Sequence, residues 1–295
     1  MNPPGIRDAG TADSAPTVSV CMPLYNEERH AGEALAALLA QSYRDFELVI
    51  SDNSSTDRTG AICREFAMRD SRVRYHRNAT NIGAAANFDR VIHLARGRYL
   101  LWAGGHDLWD PDLLERSVTI LESRPQAVVA VAECVWIDEA GTPLTRRSGF
   151  TDSSGMSAVE RFFTVLWGNM HPVLGLIRVE ALKRTRGMRT CMGADLLLLS
   201  ELALHGDFVF APGTRWYRRE IRSQETYAEM MQRYRGHQYR QSKGLAAGFP
   251  LLTLGMGLLG VAWNCGLPLT TRLAMCAGLA GTMPARYVGA RLRRR

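Results

Sequence analysis

The sequence predicts an α/β fold, and residues 18–57 carry the clearest pattern. A short apolar run at 18–22 stops at Pro23, and apolar residues then recur at helical spacing over 31–39. A second strand-like run follows at 46–50. A strand, a helix and a strand in this order predict two parallel neighbours joined by a right-handed crossover.

Each of these two predicted strands is followed by a polar loop. The first loop, at 23–27, reads Pro-Leu-Tyr-Asn-Glu, and the second, at 51–57, reads Ser-Asp-Asn-Ser-Ser-Thr-Asp. Parallel neighbours bring both loops to the same edge of the sheet. Open α/β sheets bind their ligands at this carboxyl edge, so the two loops predict a ligand site.

The alternation of strands and helices continues beyond the second loop. Apolar residues predict a helix that ends near Asp70, and residues 73–75 read as a short strand. An Ala-rich helix then runs to Ala95, and Gly97 is suited to end it because glycine tolerates a left-handed backbone. Residues 98–102 form another apolar strand, which leads into Gly-Gly-His-Asp at 104–107.

The second half of the pattern starts with a helix signal. Asp110 is suited to cap a helix whose first residue is Pro111. A buried strand is expected at 127–134, followed by a turn at 136–144. The later helices are predicted around 162–167, 180–182 and 196–205, and the later strands near 177 and at 208–210.

Composition places the chain among globular proteins of one large or two small domains. It has 295 residues, of which 46% are hydrophobic, and its net charge is +7. The basic residues thicken after Arg215 and again at 291–295. A nucleic-acid binder would carry a basic face interleaved with aromatic residues across the domain, so we expect no nucleic-acid partner.

The cysteines and the first residues indicate a cytoplasmic setting. None of the six cysteines has the spacing of a CxxC or Cys/His metal site, and we expect reduced cysteines that act as small core residues. Residues 1–16 are rich in Pro, Gly, Ala and Asp and contain no hydrophobic segment. They are expected to form a disordered leader and not a signal peptide.

Two motifs resemble the opening of the family 2 inverting glycosyltransferases. They are Val-Ser-Val-x-x-Pro-x-Tyr-Asn-Glu at 18–27 and Ser-Asp-Asn-Ser-Ser-Thr-Asp at 51–57, and weaker similarity continues to about Arg219. The resemblance implies a GT-A-like mixed sheet flanked by helices over residues 17–220. It also implies transfer of a sugar from a nucleotide-diphosphate donor, here a UDP- or dTDP-sugar. The Gln-x-x-Arg-Trp signature of processive synthases is absent, which favours one sugar per encounter.

The resemblance assigns the nucleotide to the strand-end loops. A carboxylate there accepts hydrogen bonds from ribose hydroxyls or a base N–H, and a glycine lets the backbone approach the ligand. Arg77 faces a phosphate or is a solvated charge at a strand end. The residues expected to bind the nucleotide are Pro23, Tyr25, Asn26, Glu27, Asp52 (which matches the base-reading carboxylate), Asn81, Gly83, His106 and Asp107.

The acidic cluster that binds Mg²⁺ or Mn²⁺ in this family is altered here. Asp107 matches its last carboxylate, whereas Gly104 and His106 replace the leading ones. One carboxylate and one imidazole make a poor Mg²⁺ site and a tolerable Mn²⁺ site. Three possibilities stay open: a divalent cation held by Asp107 and His106 with the diphosphate, a metal-independent enzyme in which His106 or arginines stabilise the leaving group, or a degenerate site.

Asp195 matches the general base of the family. It lies in Gly-Ala-Asp at the start of a predicted helix, where a first-turn carboxylate also interacts favourably with the helix dipole. The arginines of Trp-Tyr-Arg-Arg at 216–219 contact the diphosphate or end a surface strand. His171 lines the acceptor site or is a hydrogen-bonded structural histidine.

Residues 221–295 are expected to form a C-terminal helical region that associates with a membrane. No formally charged side chain lies between Lys243 and Arg272, and residues 245–267 are long and apolar enough to span a bilayer as a helix. Basic residues flank this stretch on both sides and favour the cytoplasmic face. Residues 227–238 show the spacing of an interfacial amphipathic helix. The alternative is a soluble helical pair docked on the catalytic domain.

The predicted function is transfer of one sugar to a saccharide or lipid-linked acceptor of the cell envelope, at the cytoplasmic face of the membrane. The rival is a catalytically degenerate, membrane-associated nucleotide-sugar-binding protein, which would bind UDP without turnover. Nucleotidyltransferases usually open with a Gly-rich phosphate loop, and dinucleotide-dependent oxidoreductases carry GxGxxG after a strand. The sequence has neither feature.

Overall fold

A computed structural model of the chain describes residues 15–146, 149–169, 171–189, 191, 193–221 and 250–292. The strands are β1 (Val18–Leu24), β2 (Phe46–Asp52), β3 (Val73–Arg77), β4 (Tyr99–Trp102), β5 (Leu108–Trp109), β6 (Ala127–Ile137), β7 (Leu176–Arg178) and β8 (Asp207–Arg219). The helices are α1 (Ala31–Leu39), α2 (Thr59–Arg69), α3 (Ala84–Leu94), α4 (Leu113–Ser123), α5 (Ala158–Trp167), a 3-10 helix (His171–Leu174), α6 (Val179–Leu182), α7 (Ala194–His205), α8 (Pro250–Trp263) and α9 (Leu269–Leu292).

The eight strands form one mixed sheet in the order β3-β2-β1-β4-β7-β6-β8-β5. Strand β1 pairs in parallel with β2 and β4, and β2 pairs in parallel with β3. Strand β7 is antiparallel to both β4 and β6, and β5 is antiparallel to β8. The predicted α/β fold with parallel neighbours at its N-terminal end is therefore confirmed.

The register of the parallel strands aligns their carboxyl ends. Leu24, the last residue of β1, pairs with Asp52, the last residue of β2, and Asp52 pairs in turn with Arg77 at the end of β3. The chain returns from β3 to β4 on the other side of β1, which creates a change of direction in the strand order. Ligand crevices of open α/β sheets form at such points.

Two hydrophobic clusters form the core, one on each face of the sheet. Along β4, Tyr99 and Leu101 belong to one cluster, whereas Leu100 and Trp102 belong to the other. This division follows from the alternation of side chains along a strand. The first cluster includes residues of α1, α2 and α4, and the second includes residues of α3, α5, α7, α8 and α9.

The predicted helix start at Asp110 is wrong, because α4 begins at Leu113. The carboxylate of Asp110 instead accepts a hydrogen bond from the hydroxyl of Tyr217 at 2.9 Å. The local sequence predicted that the carboxylate of Asp110 would cap the helix. In the structure this carboxylate is the hydrogen-bond acceptor of Tyr217 on β8. The antiparallel pairing of β5 with β8 brings the two residues together.

The C-terminal helices α8 and α9 pack on α5 and α7. On α8, Leu258 and Ala262 are fully buried in the same cluster as α5 and α7. A Cβ atom at Gly257 would lie 2.9 Å from Leu197 of α7, and one at Gly278 would lie 2.9 Å from the ring of Phe163. These close approaches match the expected alternative of a helical pair docked on the domain.

No helix among residues 15–146, 149–169, 171–189, 193–221 and 250–292 is long and apolar enough to cross a membrane. The predicted leader at 1–16 lies almost wholly outside the described residues, as do the amphipathic spacing at 227–238 and the first part of the stretch at 245–267. The division of the chain at residue 220 stays a prediction.

Docking of α8 leads to a prediction about stability. Leu258→Ala should lower the free energy of unfolding by about 2–5 kcal/mol, because it leaves a cavity against α7. Its neighbour Leu259 is 40% exposed, so Leu259→Ala should cost less than about 1 kcal/mol. Urea unfolding of both variants measures the difference. Equal effects at the two positions would contradict the docked arrangement.

Candidate active site

The loops after β1 and β2 are joined by hydrogen bonds. The backbone N–H of Asn26 donates to Oγ of Ser55 at 3.0 Å, and the side-chain oxygen of Asn26 accepts from the N–H of Thr56 at 2.9 Å. The N–H of Glu27 donates to Oγ1 of Thr59 at 2.7 Å. Asn26 has a φ of 53°, a left-handed conformation that asparagine adopts more readily than most residues. The two predicted nucleotide loops therefore form one surface.

Asp52 is fully buried and accepts three hydrogen bonds at the centre of this surface. Its Oδ1 accepts from the N–H of Ser55 at 2.8 Å, and its Oδ2 accepts from the hydroxyl of Tyr75 at 2.7 Å and from Arg77 at 2.6 Å. Burial alone would raise the pKa of Asp52, but these donors and the charge of Arg77 outweigh it and hold the pKa below its usual range. Asp52 is therefore an ionised carboxylate in a fixed orientation.

Arg77 is a partly solvated charge at the end of β3, with its side chain 42% exposed, and it also has an internal partner. Its guanidinium is paired with Asp52 and also donates to the carbonyl of Ser55 at 2.8 Å. These two hydrogen bonds, to two different residues, connect the end of β3 to the second loop. Tyr75, two residues earlier on β3, was not identified from the sequence, since a tyrosine in a short strand carries no local signal of its partner.

The third nucleotide segment joins the same surface through asparagine side chains. The side-chain oxygen of Asn81 accepts from Asn53 at 2.9 Å and from the N–H of Gly83 at 2.9 Å. Gly83 has a φ of 87°, which explains the glycine at this position. Asn53 also accepts from Asn78 at 3.0 Å. Asn53 and Asn78 were missed, although both lie within or beside the motifs.

His106 connects the first loop to the end of β4. Its Nδ1 lies 3.2 Å from both carboxylate oxygens of Glu27, and its Nε2 lies 3.8 Å from Oδ1 of Asp107. The imidazole thus stands between two carboxylates. The structure brings together the predicted nucleotide residues of β1, β2, β3 and β4 along the carboxyl edge of the sheet.

Asp107 is held by donors of the protein. Its Oδ2 accepts from the indole N–H of Trp216 at 2.9 Å, and its Oδ1 accepts from the backbone N–H of Arg219 at 3.0 Å. The residue is 2% exposed, and burial raises its pKa against the opposing effects of His106 and these two hydrogen bonds. Asp107 therefore anchors β8 to the loop after β4.

These residues do not fit a divalent cation. In the described part of the chain no group of three or more His, Cys, Asp or Glu residues is placed to hold a metal ion. The ring of His106 separates the two nearest carboxylates, so its nitrogens face them and not a shared centre. A Cβ at Gly104 would lie 2.9 Å from Oδ2 of Asp107, and a Cβ at Gly105 would lie 2.5 Å from Leu24. Of the two leading positions of the cluster, residue 104 thus offers no side-chain ligand and is crowded against the remaining carboxylate, and residue 106 offers an imidazole.

The two arginines of the 216–219 segment differ in their surroundings. The guanidinium of Arg219 is buried and donates to the carbonyl of His106 at 2.8 Å, to the carbonyl of Glu139 at 2.6 Å and to the carboxylate of Glu33 at 2.8 Å. It clamps the loop that carries His106. Arg218 instead lies over the ring of Trp136, 4.6 Å from its centroid.

Asp195 and His171 lie in the second half of the fold. Asp195 is partly buried in the first turn of α7, and its Oδ1 accepts from the N–H of Leu196 at 2.9 Å. Its role as a base stays a prediction. His171 packs between Trp136 and Trp216, at 5.7 and 5.5 Å between ring centroids. Burial, and then the charges of Arg218 and Arg146, lower its pKa to about 4.

The sequence of the chain matches the model of a known protein family over more than half of its length. The family model described as Glycosyl transferase family 2 matches residues 19–186. A Bacillus subtilis (strain 168) protein named as a glycosyltransferase, EpsE, is 36% identical over 130 residues, which cover 44% of this chain and 47% of EpsE. The chain thus spans about half the length of this curated relative.

Solved structures share the fold. The S. aureus protein TarS (1–349), in complex with UDP-GlcNAc, has a TM-score of 0.66 at 15% identity and covers 90% of this chain and 71% of that chain. The mannosyltransferase PcManGT of Pyrobaculum calidifontis, in complex with GDP-Man and Mn²⁺, has a TM-score of 0.55 at 20% identity. The match covers 96% of this chain and 82% of PcManGT. The GT-A-like mixed sheet flanked by helices is confirmed.

His171 should make the stability of the protein depend on pH. Its pKa is about 4 in the folded state and takes the ordinary value of 6.5 in the unfolded chain. The unfolded state therefore binds the proton first, so this stability is complete above about pH 6.5 and is lost as the pH falls to about 4. Between about pH 8 and pH 5 the expected loss is about 2 kcal/mol.

Urea unfolding at both pH values measures this loss. His171→Asn should remove about 2 kcal/mol of the pH dependence, whereas His93→Asn should keep it, because the side chain of His93 is 78% exposed. A His171→Asn protein with the full pH dependence of the wild type would show that another group causes it.

Proposed function

The chain belongs to glycosyl transferase family 2, and from this premise we propose that it transfers one sugar from a nucleotide-diphosphate donor to a saccharide or lipid-linked acceptor. The observation that carries the proposal is the single surface formed by the loops after β1, β2 and β3 around the fixed carboxylate of Asp52. Asp52 is buried and accepts from protein donors, so it fixes the shape of this surface, and the proposed pyrimidine base lies against the loops that Asp52 holds. The proposed donor is a UDP- or dTDP-sugar.

The nucleotide would lie across this surface. Tyr25 is 40% exposed in the first loop, and an aromatic ring there suits contact with a base or ribose. Asn26 and Glu27 follow it and hold the first loop against the second. The similar structures of TarS and PcManGT hold UDP-GlcNAc and GDP-Man, which supports a nucleotide-sugar donor.

The proposed chemistry is a single displacement with inversion. The acceptor hydroxyl oxygen attacks the anomeric carbon from the face opposite the diphosphate and forms the new C–O bond. The bond from the anomeric carbon to the diphosphate oxygen breaks, and its electron pair stays on that oxygen. The hydroxyl proton passes to the carboxylate of Asp195 as general base.

We also propose that the protein works at the cytoplasmic face of a membrane, in contact with the lipid through α8 and α9. The outer face of α8 carries large apolar side chains at i, i+4, i+7 and i+11, and α9 continues them after the turn. Arg272 lies over the ring of Trp263 at 5.3 Å, a pairing suited to the interface between lipid and water. These exposed residues, the apolar stripe, are Leu252, Met256, Leu259, Trp263, Leu269 and Leu273.

The basic residues of the C-terminal region favour a lipid bilayer as the partner that contacts the apolar stripe. The opposite face of α8 packs on α7, so the stripe points away from the domain. The sequence at 291–295 reads Arg-Leu-Arg-Arg-Arg, and a cationic segment in the same chain as an apolar helix face strengthens contact with anionic lipids. A membrane position would bring a lipid-linked acceptor to the enzyme.

Asp195→Asn tests the base. It should lower kcat by about 10²–10⁴-fold and leave the affinity for UDP within about 2-fold, because the amide cannot take the proton. Glu180→Gln is the matched control, since Glu180 is an exposed first-turn carboxylate of α6. Donor turnover by mass spectrometry and calorimetry with UDP measure the two quantities. An unchanged kcat would refute the role of Asp195, and UDP binding by a wild type without turnover on any acceptor would favour the degenerate binding protein.

Met256→Glu with Leu259→Glu tests the apolar stripe. Charges there should lower co-sedimentation with vesicles that contain about one third anionic lipid by at least about 10-fold, because they must be desolvated on contact. Met68→Glu is the control, since Met68 is an exposed apolar residue of α2 that is 81% accessible. Vesicle binding that survives in the double variant would exclude the stripe as the contact.

A further inference from the structure

We infer that the guanidinium of Arg218 holds the leaving diphosphate, in the position that a divalent cation takes in relatives with an intact acidic cluster. The inference rests on the proposed transfer from a nucleotide-diphosphate donor. A cation must neutralise the charge that develops on the diphosphate as its bond to the sugar breaks. The structure provides this cation from β8.

The place of the metal is closed by protein contacts. The indole of Trp216 and the N–H of Arg219 each donate to one oxygen of Asp107 and hold it in a buried site, which leaves little access for a cation. Gly104 and Gly105 pack directly on Asp107 and Leu24, so no ligand can be contributed from these positions. The remaining neighbour, His106, is engaged by Glu27.

Arg218 is the uncommitted arginine of β8. Arg215 on the same strand pairs with Glu133 at 3.2 Å, and Arg219 is buried among carbonyl and carboxylate acceptors. Within the described residues no carboxylate or carbonyl accepts a hydrogen bond from Arg218, whose guanidinium lies over Trp136. Its N–H donors are therefore available to a ligand, and the aromatic ring limits their motion.

Arg218 also lies on the correct side of β8. Side chains two residues apart on a strand share a face, so Arg218 follows Trp216, whose indole contacts Asp107. The guanidinium of Arg218 lies 5.8 Å from the centroid of the Trp216 ring, which places it near the residue that contacts Asp107. The planar fork of a guanidinium matches two phosphate oxygens at once.

Arg146 completes the surroundings of Arg218. It lies 3.8 Å from the centroid of Trp136 and pairs with Glu220 at 3.0 Å. Because Glu220 neutralises it, Arg146 supports the aromatic ring and leaves Arg218 as the free charge. We therefore assign the diphosphate contact to Arg218 and a positioning role to Arg146.

Calorimetry with UDP and with uridine tests this assignment, in the presence of Mn²⁺ and in the presence of a chelator. Wild-type protein should bind UDP equally well in both conditions. Arg218→Gln should weaken UDP binding by about 10–100-fold, the effect of losing a charged hydrogen bond, and leave uridine binding unchanged. Arg218→Lys should recover part of the UDP affinity, and Arg215→Gln should match the wild type.

The outcomes separate this inference from the proposed function. If UDP binds only with Mn²⁺ and Arg218→Gln binds it like the wild type, the assignment of Arg218 is wrong and the proposed function stands. If Arg218→Gln loses uridine and UDP affinity equally, Arg218 is structural and the assignment is again wrong. If the wild type binds neither UDP, dTDP nor GDP, the nucleotide-sugar function fails and the assignment fails with it.

Discussion

The ion pair between Asp52 and Arg77 is the interaction on which the candidate site depends. A buried carboxylate without partners costs several kcal/mol, so β3 must bring Tyr75 and Arg77 to the end of β2. The same oxygens fix the turn at Ser55, and that turn holds the loop after β1. One charge therefore sets the positions of three strand ends.

A second buried carboxylate, Asp107, also connects separate strands. It follows β4, which lies on the opposite side of β1 from β2 and β3. Asp107 joins the end of β4 to β8 through Trp216 and the backbone of Arg219, and Arg219 in turn clamps His106. Burial raises the pKa of both carboxylates, but their donors differ in effect. At Asp52 the hydrogen bonds of Ser55 and Tyr75 and the charge of Arg77 outweigh burial and lower the pKa, whereas at Asp107 burial outweighs the neighbouring groups and the pKa is raised.

The sequence predicted what local patterns determine. The helix at Ala31–Leu39 and the two strand-end loops follow from periodicity and from parallel pairing. It did not predict partners that lie far apart along the chain, such as Asp110 with Tyr217, or Arg219 with His106. Hydropathy also indicated a spanning stretch at 245–267, because the count of apolar residues does not show which of them will meet α7.

The packing of Gly104 against Asp107 limits which substitutions this loop can accept. An aspartate introduced at residue 104 would press its Cβ against the carboxylate of Asp107 and bring two negative charges into a buried space. Asp107 could move only by releasing Trp216, and with it the register of β8. A Gly104→Asp substitution in this chain should therefore need a second, compensating change near Asp107 before two carboxylates could share this space.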